Sequence, residues 1–320
     1  MKLRITFAII IISASVMFLL WVGCDSSEKP KKISLKDVIT EAELNGHARE
    51  NGEDVLWFGF DLRSSPQEDA RQYLPFLQYL SNATGYHFEL FFIPRGESIV
   101  DSLGSGGIQF AAVGAGTYIQ AREKYGVVPL VRGVNSLGKA EYWSVIIVKP
   151  HSPIRKIADL RNKRFAFGDV TSTQGYLIPR IALAQNGIRL SDLRTYSYTG
   201  SHRNCANAVL SGRSDACGLQ DTMGMALAKK GLVRIIFTSE YYPSSGIAAN
   251  KNIPPQMLVK VRKALIDFDP EGSHAAGLYH WDKTEMPKGF TPAEDGDYAE
   301  LRAWAKRLGY FSEIKGGQTP

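Results

Sequence analysis

The chain has 320 residues, of which 44% are hydrophobic and 22% are charged, a balance typical of a globular protein rather than a disordered one. The formal charge of +6 is spread along the sequence, and no block of Lys and Arg alternates with aromatic residues, which argues against nucleic-acid binding. This length accommodates two modest domains or one large one.

The N-terminus has the plan of a secretory signal. Lys2 and Arg4 form a basic start, residues 5–22 are an apolar run, and a small residue precedes Cys24. The end of the run resembles the lipobox of bacterial lipoproteins, so we predict a signal peptide over residues 1–23 and lipidation of Cys24. A run of about 18 apolar residues also approaches the length of a membrane span, so an uncleaved anchor and a cleaved soluble form are the alternatives. The prediction places the remaining chain in the periplasm or at the cell surface, anchored to the inner membrane.

Residues 24–54 are polar and contain few aromatic residues. Such a composition cannot bury enough apolar surface to fold alone, and it indicates a tether. A tether behind a lipid suits a domain that stays near a membrane yet moves. The globular part is predicted to begin at Val55.

From Val55 onward, short apolar runs alternate with segments of helical periodicity. Strands are predicted at VLWFGF, HFELFF, IQFAAVG and VVPLVRG, and helices at PQEDARQYLPFLQYLSNATG, ESIVDSLGSG and TYIQAREKYG. This alternation implies a mostly parallel sheet with helices on both faces.

A long apolar strand, YWSVIIVK, is followed by a second run of alternating elements. The late segments QMLVKVRKALIDF and AEDGDYAELRAWAKRLGY are predicted helices, separated by EGSHAAGLYHWDKTEMPKGF, which is predicted to be a loop. We therefore predict one lobe from residues 55–142 plus 246–320 and another from residues 143–245. Two segments, near 140–145 and 240–248, would join them, with the ligand held between the strand ends.

The segment RFAFGDVTSTQGYLIPR is predicted to be a buried strand, a turn of hydroxyl residues and a helix. A helix start leaves backbone N–H groups without partners and carries a positive partial charge. Thr171, Ser172 and Thr173 add hydroxyls there, and Gly175 lets the backbone approach closely. The pattern predicts a pocket for a compact anion, with an ordinary N-cap as the alternative.

Other candidates occupy equivalent strand ends. His202 in TGSHRN and Asp221 in LQDTMG each come just after a strand and begin a helix. His202 is suited to donate to an oxyanion, and Asp221 is suited to accept from a protonated ligand or to orient a donor. Capping roles are the alternatives for both. In the first lobe, VGAGTY brings Gly116 and Thr117 to a strand end, where N–H groups would close over the anion from the other side.

These segments, in this order, resemble the phosphate/phosphonate-binding proteins of ABC importers. The resemblance extends from about residue 55 to residue 268, and its most specific parts are the Ser-Thr-x-Gly-Tyr turn with its preceding Phe-Gly-Asp and the later Ser-His. It implies an α/β, two-lobed type II periplasmic-binding-protein fold, in which two mixed sheets flanked by helices are joined by a two-segment hinge. The predicted ligand-binding set is Ser172, Thr173, Gln174, His202, Asp221, Thr117 and Tyr118.

Two departures from the family pattern concern the ligand. Arg95 and Gly96 stand where the family often has Asp-Tyr, with the Tyr reaching the ligand. Members that grip an aminoalkyl phosphonate place acidic residues where this chain has Thr222 and Ser245. The second departure argues against an ammonium-bearing ligand.

With Cys24 assigned to the lipid, Cys205 and Cys217 remain. Neither their spacing nor their sequence fixes a disulfide geometry, so we expect two buried free thiols, with a disulfide as the alternative. The six His residues are scattered and no Cys-x-x-Cys occurs, so no metal site and no cofactor are predicted.

The sequence therefore predicts a solute-binding lipoprotein that captures a phosphonate, phosphite or phosphate ester. It would act as a monomer and pass the ligand to an ABC transporter permease and ATPase. A sensing role for a membrane receptor or histidine kinase is one alternative. A periplasmic phosphoester hydrolase is another, since His202, Asp221 and Ser172 would suit a triad. No Gly-x-Ser-x-Gly elbow accompanies them, so we predict a binding protein and not an enzyme.

Overall fold

The computed structural model describes residues 55–60, 66–94 and 97–315. The predicted signal peptide, the tether with Cys24, and the family departure at positions 95–96 lie outside these residues. Within the described ranges, no helix combines the length and apolar character that a membrane crossing requires.

Strands and helices alternate along most of the described chain. The strands are β1 (Val55–Phe60), β2 (His87–Leu90), β3 (Phe110–Val113), β4 (Val128–Gly133), β5 (Glu141–Tyr142), β6 (Ser144–Val148), β7 (Arg164–Phe167), β8 (Thr195–Tyr198), β9 (Ala216–Gln220), β10 (Arg234–Thr238), β11 (Tyr242–Pro243), β12 (Gly246–Ala249) and β13 (Phe290–Pro292). The helices are α1 (Pro66–Thr84), α2 (Ile99–Ser105), α3 (Ala115–Tyr125), α4 (Ile178–Gln185), α5 (His202–Leu210), α6 (Asp221–Lys229), α7 (Pro255–Ile266), α8 (Ala299–Arg307) and α9 (Tyr310–Lys315). A π-helical turn, Thr173–Leu177, precedes α4, and 3₁₀ turns occur at Ile157–Leu160, Leu190–Asp192, Trp281–Lys283 and Asp295–Tyr298.

The first sheet has the strand order β13-β4-β12-β3-β1-β2. β1 pairs in parallel with β2 and β3, whereas β12 is antiparallel to β3 and β4, and β13 is antiparallel to β4. Helix α1 packs on this sheet because Tyr73, Phe76, Leu77 and Leu80 recur at helical spacing and are all buried. Together with Phe58 of β1 they belong to one hydrophobic core.

The second sheet has the order β10-β6-β9-β7-β8. β7 is parallel to β8 and β9, and β6 is antiparallel to β9 and β10. β6 is apolar after its first residue and buried at every position, as a central strand covered on both faces requires. The carboxyl ends of β7, β8 and β9 share one sheet edge, and each leads to a helix start that carries predicted site residues.

Both passages between the sheets run through a two-stranded ribbon. β5 and β11 pair antiparallel, with Tyr142 opposite Tyr242 and Glu141 opposite Pro243. These strands fall within the two joining segments that the sequence predicts. The fold is therefore the predicted one of two mixed sheets flanked by helices, while the exact extents of the two lobes stay predictions. The mostly parallel pairing expected from the strand–helix alternation is wrong, because β12 and β13 in the first sheet and β6 and β10 in the second pair antiparallel.

Two local predictions are wrong, and a third, the loop of residues 271–290, is largely confirmed but missed the strand that begins at its end. The strand predicted as YWSVIIVK is divided at Trp143, where the ribbon hands over to the second sheet. The predicted C-terminal helix is broken at Gly309, whose φ of 69° is the left-handed conformation that ends helices. The segment predicted as a loop contains the 3₁₀ turn Trp281–Lys283 and runs into β13, whose Phe290 lies in the first sheet's core.

Gly246 begins β12 at the return to the first sheet, and a side chain there would collide with the backbone carbonyl of Val131. Gly246→Ala is expected to lower the free energy of unfolding by roughly 2 to 3 kcal/mol, because the central strands must separate to admit the methyl group. Urea unfolding monitored by tryptophan fluorescence measures the loss. Gly296→Ala is the matched control, since that position has open space. Equal stability of the two variants would contradict the packing described for β12.

Candidate functional site

The hydroxyl turn after β7 gives each of its three side chains a separate partner. The Ser172 hydroxyl caps the helix start by accepting from the Gly175 N–H at 3.0 Å. The Thr171 hydroxyl donates to Asp169 Oδ1 at 2.6 Å, which holds the turn in shape. The Thr173 hydroxyl accepts from the backbone N–H of Gly116 at 2.7 Å. The turn thus both caps its own helix and reaches the first sheet's helical layer.

Two glycines allow strand and helix start to approach closely. The Gly168 N–H donates to the Gly175 carbonyl at 2.8 Å. A Cβ on Gly168 would lie 3.3 Å from the Gly175 Cα, and a Cβ on Gly175 would lie 3.0 Å from Cε1 of His202. The His202 ring therefore lies against the backbone of the first helix start, so the predicted neighbours Ser172, Gly175 and His202 are brought together.

Gln174 connects the helix start to two other parts of the site. Its amide Nε2 donates to the Trp143 carbonyl at 2.8 Å and to Asp221 Oδ1 at 3.2 Å. The Ser144 hydroxyl donates to the Gln174 carbonyl at 2.7 Å. Both amide N–H donors of Gln174 are thereby engaged in orienting Asp221 and the joining segment, and the predicted contact of Gln174 with an anion stays a prediction.

Asp221 begins α6 and is only 6% exposed. Burial raises the pKa of its carboxyl above the ordinary value of 3.8, an effect opposed by N–H donors from Thr222, Trp143 and Gln174 and reinforced by the charge of Glu285. A buried carboxylate retains acceptor positions after these bonds. The ionised Asp221 carboxylate is therefore suited to accept a hydrogen bond from a protonated ligand oxygen. When protonated, it is suited to donate a hydrogen bond to a ligand oxygen.

The first sheet contributes the start of α3. Gly116 donates to Thr173, and the Ala115 N–H donates to the hydroxyl of Tyr142 at 3.3 Å. A Cβ on Gly116 would lie 3.0 Å from the Thr173 hydroxyl, so glycine is what lets these elements meet. Thr117 is buried in the same turn. The N–H groups of one helix start and the hydroxyl of another thus face each other directly.

Tyr118 has a different environment from the other predicted residues. Its hydroxyl donates to Asp295 Oδ1 at 2.6 Å, and its ring packs against Tyr298 with centroids 4.3 Å apart. Burial, together with the bond to Asp295, raises the pKa of the Tyr118 phenol well above its usual range. The hydroxyl is engaged among the helices of the first sheet, and the predicted ligand contact of Tyr118 stays a prediction.

Sequence reasoning missed the aromatic residues that frame the site. The Tyr142 hydroxyl accepts from the start of α3, and the Trp143 carbonyl accepts from Gln174. The Tyr310 hydroxyl donates to the Thr171 carbonyl at 3.1 Å, across a separation of 139 positions. No local sequence pattern marked these residues, because their contacts join positions far apart in the chain.

Cys205 and Cys217 form a disulfide, with Cα atoms 5.9 Å apart, so the expectation of two free thiols is wrong. Helix α5 packs on β9, and this packing brings the two Cα atoms within bonding range. Both residues are fully buried. Cys205 lies one turn after His202, and Cys217 lies four residues before Asp221, so the bond ties together the elements that carry these two side chains.

A family model for the periplasmic substrate-binding protein of phosphonate ABC transporters matches residues 58–298, about three quarters of the chain. The chain belongs to this family. Because the family consists of substrate-binding proteins, membership speaks against the hydrolase alternative.

Relatives of the phosphonate-binding family extend this finding. The phosphonates-binding periplasmic protein of Escherichia coli is 30% identical over 217 residues, and the match covers 65% of this chain and 64% of that protein, just under two thirds. The phosphate-import protein PhnD of Mycolicibacterium smegmatis is 24% identical over 91% of this chain and 92% of its own length. The structure of PhnD1 from Prochlorococcus marinus in complex with methylphosphonate has a TM-score of 0.68 at 18% identity, covering 80% of this chain and 98% of that one. The last likeness concerns the fold, which is that of type II periplasmic binding proteins.

Replacement of Cys205 and Cys217 by alanine is expected to lower the free energy of unfolding by about 3 kcal/mol, because the disulfide restricts the unfolded chain. Chemical denaturation measures the free energy of unfolding of the double variant and of the wild-type protein. Wild-type protein unfolded and refolded under reducing conditions is the control and should match the variant. Thiol labelling at either position in denatured, unreduced protein would contradict the bond.

The raised pKa of Asp221 predicts the sign of a pH dependence. The folded protein binds this proton more tightly than the unfolded chain does, so ionisation of Asp221 costs stability increasingly as the pH rises from about 4 through the folded pKa. Asp221→Asn should therefore raise the Tm relative to wild type progressively from about pH 4 to about pH 7. Differential scanning fluorimetry at several pH values measures this difference, and a difference independent of pH would contradict it.

Asp215→Asn is the control of opposite sign. Its hydrogen bonds with Arg164 lower the pKa of Asp215, so the carboxylate stabilises the fold above the unfolded pKa of 3.8 and this contribution is lost as the pH falls through the folded value. The Asn variant should therefore be less stable than wild type near neutral pH, and the difference should shrink in acid.

Proposed function

We propose that this chain is a binding protein for a phosphate-like oxyanion, namely a phosphonate, phosphite or phosphate ester, and that it delivers this ligand to an ABC importer. The observation that carries the proposal is the meeting of Gly116 and Thr173 at 2.7 Å. Donors from helices of both sheets converge there, next to His202 and near Asp221, and helix starts favour anions.

The binding step follows from this geometry. The Thr173 hydroxyl and the Gly116 N–H now bond to each other. A small separation of the two helix starts frees the Gly116 N–H to donate to an anion between them. The Thr173 hydroxyl, which only accepts in the present bond, can then rotate to donate its own proton to the same anion. His202 adds a donor from the neighbouring helix start, and Ser172 keeps the turn capped. Contacts from both sheets then stabilise the closed form when the ligand is present.

Asp221 would select among anions. A buried carboxylate accepts a hydrogen bond from a protonated phosphonate or phosphate oxygen. A sulfonate has no such proton at neutral pH, so its negatively charged oxygen would repel the carboxylate. This favours phosphorus oxyanions over sulfonates. The relatives support the same chemistry, since their names refer to phosphonate binding and phosphate import and one solved structure contains methylphosphonate.

The proposal includes the cellular setting. Removal of residues 1–23 and lipidation of Cys24 would anchor the protein at the outer face of the inner membrane, with residues 24–54 as tether. As a tethered monomer it would collect ligand close to the permease and ATPase of its transporter. The periplasmic relatives support an extracytoplasmic location.

A thermal-shift screen with phosphate, phosphite, methylphosphonate and methanesulfonate tests the function. At about 100 times Kd, a bound oxyanion should stabilise the protein by about 2.7 kcal/mol, which raises the Tm by roughly 5 to 10 °C. Thr173→Ala combined with His202→Ala should abolish the shift, because donors from two helix starts are removed. Thr173→Ser keeps the hydroxyl and is the matched control, expected to retain most of the shift.

Two results would count against the proposal. If phosphorus oxyanions raise the Tm of the double variant as much as that of the wild type, the assigned binding site is wrong. A response to methanesulfonate equal to that to methylphosphonate would remove the role of Asp221 in selection.

A further inference from the structure

The C-terminal part of the chain is attached to the first sheet's helical layer. Helix α8 is joined to α3 by the ion pair between Lys306 Nζ and Glu123 Oε1 at 2.8 Å. At its end the chain turns sharply through Gly309, whose φ is 69°. A residue with a side chain would be strained in this conformation. The turn directs the next residue back toward the body of the protein.

Beyond α8 the chain bonds to the helix that follows the hydroxyl turn of the second sheet. The Leu308 carbonyl accepts from Nη2 of Arg180 at 3.2 Å. The Tyr310 hydroxyl donates to the Thr171 carbonyl at 3.1 Å, and the Tyr310 side chain is fully buried. Residues 308–310 therefore hydrogen-bond to the helical layer of the second sheet, and helix α8, which directly precedes them, is bound to the helical layer of the first sheet. They form a connection between the two layers in addition to the β5–β11 ribbon.

The Tyr310 hydroxyl lies at the point where the two helix starts meet. A Cβ built on Gly116 would be 2.9 Å from this hydroxyl, 3.0 Å from that of Thr173 and 3.2 Å from the Thr171 carbonyl. The Tyr310 ring also packs near Tyr176, with centroids 6.0 Å apart. The hydroxyl thus borders both donors of the proposed anion site while bonding to the backbone two residues before Thr173.

We propose that Tyr310 is a positioning residue for the oxyanion site, acting through the turn at residues 171–173, and that residues 308–310 hold the closed arrangement of the two layers. The assignment to oxyanion binding rests on the function proposed above. The bond from Tyr310 fixes the Thr171 carbonyl and thereby the direction in which the Thr173 hydroxyl faces Gly116. Ligand release requires the two helix starts to part, so this bond opposes release.

Tyr310→Phe tests the proposal because it keeps the ring and removes only the hydroxyl. Tyr79→Phe is the matched control: its hydroxyl donates to the Ala264 carbonyl at 2.7 Å, a bond of the same type between α1 and α7. With methylphosphonate as the probe, stopped-flow fluorescence should give a dissociation rate constant roughly three- to ten-fold higher for Tyr310→Phe, the effect of one hydrogen bond.

A second measurement needs no ligand. The amide of Gly116 is protected by Thr173 only while the helix starts meet, so its hydrogen exchange reports parting of the two layers. In unliganded protein, Tyr310→Phe should exchange this amide roughly three- to ten-fold faster than wild type, and Tyr79→Phe should not. Exchange of amides within β6 should be the same in all three proteins, which excludes a general loss of stability.

The outcomes separate the two proposals. If wild-type protein binds none of the oxyanions while Tyr310→Phe still accelerates exchange at Gly116, the proposed function fails, and the positioning of the turn by Tyr310 stands. Unchanged exchange at Gly116 in Tyr310→Phe overturns the positioning role, whether or not methylphosphonate binds. A dissociation rate constant for methylphosphonate that is the same in Tyr310→Phe and wild type also overturns it, because the hydroxyl would then not oppose release.

Discussion

The unsatisfied N–H groups at helix starts are the constraint on which this structure depends. Each helix that follows a parallel strand exposes such groups at the same sheet edge, and the two sheets turn these edges toward each other. One such group is the Gly116 N–H at the start of α3. The Thr173 hydroxyl, from the helical layer of the second sheet, accepts a hydrogen bond from it. The same donors suit a small anion, so the need to satisfy backbone groups and the capacity to bind have one origin.

A second constraint is that the site and the joining ribbon share hydrogen bonds. Gln174 bonds at once to the carbonyl of Trp143, which follows β5, and to Asp221 at the start of α6. Ser144 bonds to the Gln174 carbonyl from the first position of β6. Movement of the ribbon would therefore shift groups beside the proposed anion site, which would couple closure of the two layers to binding.

The parts of this structure that were predictable are those that local chemistry determines. Alternating strand and helix periods gave the two sheets, and hydroxyl residues between a strand and a helix gave the turn around Thr173 and the neighbouring starts at His202 and Asp221. The family resemblance supplied the two-lobed arrangement and is confirmed by the match over residues 58–298. These features depend on residues within a few positions of one another, where sequence patterns carry physical information.

The remaining features depend on contacts between distant positions. The bond from Tyr310 to Thr171 and the break of the C-terminal helix at Gly309 arise from tertiary packing that no local period encodes. β13 was missed because a strand of three residues is too short to display alternation. The disulfide was not predicted because a helix and the following strand must pack against each other before their cysteines become neighbours.

That bond also has a consequence for where the protein matures. Cys205 of α5 and Cys217 of β9 are both buried, and thiols in a compartment rich in glutathione and thioredoxin are kept reduced. The bond between them would therefore form after export to an oxidising compartment. Protein produced in the cytosol would therefore lack the disulfide and would differ chemically from oxidised protein until the two cysteines are oxidised. The redox state of the two cysteines would thus depend on the compartment in which the protein folds as well as on its sequence.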